Sequence, residues 1–226
     1  ALAAVYYCVV GNAYDALNSS GIAADAAGKR DAAYRKALAN PGMLAAKSAL
    51  DYQPMVEKGE DSRVFGNDLL SVIGYQTKNY RLLTDHYTKA GNRTAALITA
   101  LQMVKTEYEN TIFYTPERTA QGSAYMQRLD SLVGIYGDLP ECGEVAIARY
   151  EYMCSCSDVT KAQKADFIDK ATKRWAAWRN IPRLKSEYQS LVRPMYNVTL
   201  NTALRPGVCD TVRVEACNIK GITLAM

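Results

Sequence analysis

The chain has 226 residues, 49% of them hydrophobic and 22% charged, with a formal net charge of +4. That composition supports a folded core and excludes a disordered chain, and the charge is too mild for a nucleic-acid footprint, so no nucleic-acid partner is expected. No apolar run reaches the roughly 18 residues that a membrane-spanning helix needs, so no transmembrane segment is expected either.

In chain order, the opening stretch "ALAAVYYCVVG" lacks the basic leader of a signal peptide and reads as a buried first helix. "AVYYCVVGNAYDALN", "AADAAGKRDAAYRKALAN" and "GMLAAKSALDYQPMV" each carry a helical period. The stretch from Glu60 to Asn110 divides into three helices by its apolar spacing. The first buries Phe65, Leu69, Val72 and Ile73. The second buries Tyr80, Leu83, Tyr87 and Ala90 and ends at Gly91-Asn92, and the third buries Leu97, Leu101, Val104 and Tyr108. Next comes a helix with Thr115 as N-cap and Pro116 in its first turn. Met126, Leu129, Leu132, Val133 and Tyr136 lie on one stripe of it, and Gly137 closes it.

A further helix starts at Asp158, with Ile168, Ala171, Trp175 and Trp178 inward. The last opens at Pro182 with Leu184, Tyr188 and Leu191 inward, and Pro194 stops it. The connections are short, which makes neighbours antiparallel. About nine or ten helices of 12–20 residues in series predict a helical bundle or an αα-solenoid. The spacing Tyr80, Leu83, Tyr87, Ala90 resembles the second helix of a tetratricopeptide repeat, and "AAYRKAL" (Ala32 to Leu38) looks like a degenerate copy.

At Pro194 the period changes from 3.6 to 2. Tyr196, Val198, Leu200 and Leu204 face one way, followed by a turn at Arg205-Pro206-Gly207. Val208, Val212, Val214 and Ala216 then share a face opposite Thr211, Arg213 and Glu215. After "NIKG", Ile222, Leu224 and Met226 begin a third strand. Three short strands cannot bury an apolar face among themselves, so they must pack on the helices or open a β-domain.

Residues that could carry chemistry are few. His86 is the single histidine, and no nucleophile elbow, zinc or phosphate-binding motif accompanies it. "ECGEVA" (Glu141 to Ala146) imitates an internal thioester, but Val145 stands where an acyl-donating Gln is required. The six cysteines (Cys8, Cys142, Cys154, Cys156, Cys209 and Cys217) form no C-x-x-C pair, and they read as plain thiols. No catalytic, cofactor-binding or metal-ligating residue is therefore assigned. The stretch Lys170 to Lys185 concentrates basic residues around two tryptophans, and Lys173, Arg174, Trp178, Arg179 and Arg183 form a candidate interaction surface. A solvated helix face with its tryptophans in the core is the competing account.

One segment, "NDLLSVIGYQTKNYRLLTDHYTKAGNRTAALITAL" (Asn67 to Leu101), resembles part of the N-terminal helical region of large bacterial alpha-2-macroglobulin-like proteins, particularly those of Bacteroidetes. Asp68-Leu69-Leu70, Gly74, Tyr87, Gly91-Asn92-Arg93 and Ala95-Ala96 carry the likeness. The tail, "RPGVCDTVRVEACNIKGITLAM", resembles the opening of the first macroglobulin-type β-sandwich through Pro206-Gly207, Asn218 and Ile222-Thr223-Leu224. The resemblance implies an exported protein of the periplasm or cell envelope that traps or inhibits proteases. Its protease or its own neighbouring macroglobulin domains would be the partners, and the bait and thioester segments would lie beyond Met226.

The expected fold is mostly α, an αα-superhelix of tetratricopeptide-like character over residues 1–193, with a short C-terminal antiparallel β segment at 194–226 as the first strands of a macroglobulin-type β-sandwich. The expected role is a non-enzymatic N-terminal scaffold or docking module. The rival reading is a stand-alone helical-repeat module that binds a peptide or protein. A third, an enzyme in a helical groove, would depend on His86.

Overall fold

The computed structural model describes residues 1–56, 59–112, 118–199, 212–219, 221 and 223, without the side chains of 109–112 and 118–121. Among them the chain is mostly helical, with a two-stranded antiparallel sheet near its end. It divides into two compact units, Ala1–Val145 and Ala146–Met226. Among the described residues no helix is long and apolar enough to cross a membrane.

The first unit begins with an αα-hairpin, α1 (Leu2–Ser19) packed on α2 (Ala26–Ala37). Their approach is set by Gly11: a Cβ there would lie 2.2 Å from the Tyr34 ring. The Tyr34 hydroxyl in turn donates to Asn12 Oδ1 at 2.9 Å. Arg30 completes the pair with an Nη1 bond to Asp15 at 2.9 Å. Only one side of α1 is covered, so the expectation of a buried first helix is corrected: Ala4, Val5, Cys8 and Gly11 are buried, and the opposite face is open.

Two short helices follow, α3 (Pro41–Ala45) and α4 (Ser62–Phe65), and then α5 (Leu69–Gln76), α6 (Tyr80–Lys89) and α7 (Arg93–Ile112). The expected single helix through Phe65, Leu69, Val72 and Ile73 is two helices. Gly66 (φ 63°) and Asn67 (φ 58°) both sit in the left-handed region, which an α-helix cannot continue through. The four apolar residues are buried nonetheless, at 5%, 0%, 2% and 0% exposure. Likewise "GMLAAKSALDYQPMV" is not one helix, because Ser48 caps a 3₁₀ turn at Ala49–Tyr52 after α3 has ended.

The α6–α7 hairpin holds most closely to the expected pattern. Tyr80, Leu83 and Tyr87 are buried on α6, and Leu97, Leu101 and Val104 on α7, while Tyr108 is half-buried. Ala90 is corrected: it is the exposed cap residue of α6, one position past its last turn. Helix α8 (Arg118–Tyr136) packs on α7 through Tyr125, Leu129, Leu132 and Tyr136, with Met126 and Val133 half-buried at the edge of that stripe. The expected cap at Thr115 and Pro116 lies outside the described residues.

The second unit holds most of α9 (Gly143–Ser155), then α10 (Lys161–Arg174), α11 (Ile181–Val192), β1 (Met195–Thr199) and β2 (Arg213–Cys217). Helix α10 starts at Thr160, not Asp158. The Thr160 Oγ1 receives Gln163 N at 3.2 Å, and the Gln163 side chain receives Thr160 N at 2.8 Å, a reciprocal cap that Asp158 cannot make at that spacing. Ile168, Ala171, Trp175 and Trp178 are buried, and Ile181 and Leu184 of α11 join that core. The strands pair with Tyr196 opposite Ala216 and Val198 opposite Val214, so one face carries the apolar residues as expected. Asn218 (φ 57°) ends β2, and its Nδ2 donates to Leu191 O at 2.7 Å and Arg193 O at 3.0 Å, tying the strand to the end of α11. The expected positions of Leu200, Leu204, Val208, Cys209, Ile222, Leu224 and Met226 lie outside the described residues.

Replacing Gly11 by Ala forces the Tyr34 ring and its Asn12 bond to move, an overpacking cost of about 1–3 kcal/mol. Chemical denaturation of Gly11→Ala should show that loss. Gly28→Ala, a site with nothing within 4 Å of the added Cβ, should show none.

Candidate functional site

Asp68-Leu69-Leu70, Gly74, Tyr87, Gly91-Asn92-Arg93 and Ala95-Ala96 lie along α5, α6 and α7 and the turns between them. Asp68 is the N-cap of α5: its Oδ1 accepts Ser71 N at 2.5 Å, and its Oδ2 accepts the Tyr87 hydroxyl of α6 at 2.7 Å. The chain around it is fixed by Leu69 N to Lys47 O and Ala49 N to Asn67 O, both 2.8 Å. Leu69 and Leu70 are fully buried, and a Cβ on Gly74 would stand 2.5 Å from Leu83. Burial, and then the Asp68 charge, push the Tyr87 phenol far above its usual range.

Gly91 turns the corner in the left-handed region at φ 74°, and Asn92 Oδ1 caps α7 through Ala95 N at 3.1 Å. Arg93 grips the end of α8 with three bonds: Nη1 to Asp138 at 2.6 Å, and Nη2 to Asp138 at 2.8 Å and to Ile135 O at 3.0 Å. Ala95 and Ala96 are buried where α7 meets its neighbours. Between α6 and α7, the Thr84 and Thr99 hydroxyls meet at 3.1 Å. Each of these residues packs, caps or turns the chain.

The solvent side of α6 forms an open depression of about 390 Å³, lined by Pro41 of α3 with Asn79, Arg81, Leu82, Asp85, His86 and Lys89. His86 is half-buried there, its ring 5.5 Å from that of Tyr87 in an edge-on contact. Arg81, Asp85 and Lys89 stand one turn apart on the exposed face, and that i, i+4, i+8 spacing is the sequence signal for this charged strip. Reading His86 alone misses the strip. Among the described residues no cluster of three His, Cys, Asp or Glu side chains is placed to hold a metal.

The candidate interaction surface near the C-terminal helices is arranged differently from a set of free cations. Lys173 pairs with Asp169 at 2.6 Å and Arg183 with Glu151 at 2.7 Å. The guanidinium groups of Arg174 and Arg179 lie 4.7 Å over the rings of Trp175 and Trp178. Trp178 is only 7% exposed, so it is a core residue and offers no ring to a partner. Lys173, Arg174, Arg179 and Arg183 are each exposed. Nearby in the same unit, the Tyr150 hydroxyl donates to Glu187 at 3.2 Å, and burial raises its phenol.

Among the described residues Cys8, Cys142, Cys154, Cys156 and Cys217 form no disulfide, and Cys142 of the thioester look-alike is buried, as is Val145. Cys217 Sγ accepts Lys161 Nζ at 3.6 Å. Comparison of the chain with protein-family models, with curated proteins and with solved structures returns no match.

Asp68→Ala removes an N-cap and leaves a buried phenol without its acceptor, which together cost about 2–4 kcal/mol. Asp68→Asn, which keeps a cap oxygen, should cost less, with Tyr87→Phe between them in urea unfolding. The phenols also set an alkaline limit. Burial raises Tyr34 to about 12 from an ordinary value of 10.0. The neutral form is thus favoured in the folded state, and its contribution is complete below pH 10 and lost as pH rises toward 12. Stability followed by circular dichroism should fall across that interval, and less steeply in Tyr34→Phe.

Proposed function

We propose that the chain is the non-enzymatic N-terminal scaffold of an envelope-associated, alpha-2-macroglobulin-like protein that traps proteases, exported to the periplasm or cell envelope. The helices in this reading hold a docking position for macroglobulin β-domains, and endopeptidase inhibition belongs to the whole protein. The observation that carries it is the state of the small sheet. Its apolar face is open, with Tyr196 74% and Val198 43% exposed, and Met195 on the other face is 59% exposed. A two-stranded sheet cannot cover its own face, and a second β-layer packed on it would. Support also comes from the α5–α7 turn, where Asp68, Gly74, Tyr87, Gly91 and Asn92 each pack, cap or turn the chain, as a scaffold requires.

The gene decides the reading most directly. A reading frame that continues past Met226 through many alternating-strand segments is expected; a stop codon directly after Met226 overturns it. In the longer product, Tyr196→Ser with Val198→Ser should lower the unfolding midpoint of the following β-domain. In the chain studied alone, the same pair should change stability by no more than about 0.5 kcal/mol, because both sites are exposed.

The depression on α6 favours a second reading, a stand-alone helical-repeat module that binds a peptide or protein partner. Under that reading, Arg81→Glu with Lys89→Glu abolishes partner capture and the sheet substitutions leave it unchanged.

A further inference from the structure

Helix α1 is apolar on both sides. Its covered side faces α2. On the other side Leu2 is 62% exposed, Tyr6 62%, Val9 45% and Leu17 37%, with Ala13 exposed between them. The steps of 4, 3, 4 and 4 residues place all five on one stripe along the helix. Asp15 is the single side chain of α1 that is charged at neutral pH, and its carboxylate is engaged by Arg30 of α2, off the stripe. The outer face therefore carries no charge over its whole length. A surface helix of a monomer is polar on its outer side, and one that is apolar all round is a buried helix.

The order of side chains along the stripe tells what can cover it. Read about a point between Val9 and Val10, the stripe is its own complement: Leu2 falls opposite Leu17, and the large Tyr6 opposite the small Ala13. A two-fold axis places one surface against the same surface reversed, so a stripe of this kind is complementary to itself. Neutrality along the stripe means that no like charges are brought together by that symmetry.

We propose that the outer face of α1 seats a second copy of this chain, the two helices packing antiparallel about a two-fold axis near Val9 and Val10 to give a weak, reversible homodimer. The area sets the strength. The 18 residues of α1 span about 27 Å, and a helix is about 10 Å across. Pairing withdraws on the order of 400 Å² from water on each partner, about 800 Å² in all, which is the range of transient rather than obligate interfaces. This pairing is independent of the functional reading above.

Sedimentation equilibrium of the full chain, from micromolar to near-millimolar concentration, should fit a reversible monomer–dimer equilibrium. Val9→Glu and Val9→Lys should each weaken association by more than about tenfold, because the two-fold axis sets the introduced like charges against each other. An equal mixture of the two variants should regain the dimer as a mixed species. Thermal melts of both variants should match the parent chain, since Val9 is already 45% exposed. A chain that sediments as a monomer throughout overturns the proposal. So does a dimer that neither variant weakens, or a mixture that stays monomeric.

Discussion

The first unit depends on the carboxylate of Asp68. One of its oxygens caps α5, the other takes the Tyr87 hydroxyl from α6, and the backbone on either side bridges to residues 47–49. Three segments that the chain delivers separately are thus joined at one side chain. A half-buried carboxylate with an amide and a phenol as donors is worth more than an exposed ion pair, because its partners would otherwise be buried without acceptors. The close approach of Gly74 to Leu83 follows from that anchoring, for the α5–α6 spacing leaves no room for a Cβ. Corner residues Gly91, Asn92 and Arg93 then carry the chain into α7 and fasten it to the end of α8.

The set Asp68-Leu69-Leu70, Gly74, Tyr87, Gly91-Asn92-Arg93 and Ala95-Ala96 is therefore a folding device. Each member is geometrically costly to replace: a left-handed glycine, a cap, a contact without space, a two-pronged arginine. They speak for a fold and are silent about a reaction. The surface supports the same division of labour. Charged groups on the candidate C-terminal patch are paired locally or laid on tryptophan rings, whereas apolar side chains are exposed on the face of the β1–β2 sheet and along the outer stripe of α1. Apolar surface of that kind marks a place where another surface can dock.

Much of the helical framework was legible in the residue spacing. Buried positions on α6, α7 and α10 fall where a 3.6 period puts them, and the change to period 2 after Pro194 marks the strands, with Tyr196 and Val198 on one face with Val214 and Ala216. The misses were at ends and breaks. Asp158 competes with Thr160 for the start of α10, and only the return bond from Gln163 decides between them. The break at Gly66-Asn67 is invisible to a hydrophobic count, because Phe65 and Leu69 are both buried across it. His86 drew notice by its chemistry, while the charged strip beside it, Arg81, Asp85 and Lys89, looked like an ordinary solvated face.

By itself, then, the sequence determined which residues share a face and where the helical period gives way to the strand period, since both follow from backbone geometry within a few residues. It could not determine which of those faces are covered. The apolar opening of the chain reads as a buried helix, and in the fold α1 is left half open. The basic run near Trp178 leaves a surface patch and an inward tryptophan as rival accounts, and the fold puts Trp178 inside. Coverage depends on what distant segments bring alongside, and that is set by close contacts such as Gly11 against Tyr34 and Asp68 against Tyr87, which only the tertiary structure decides.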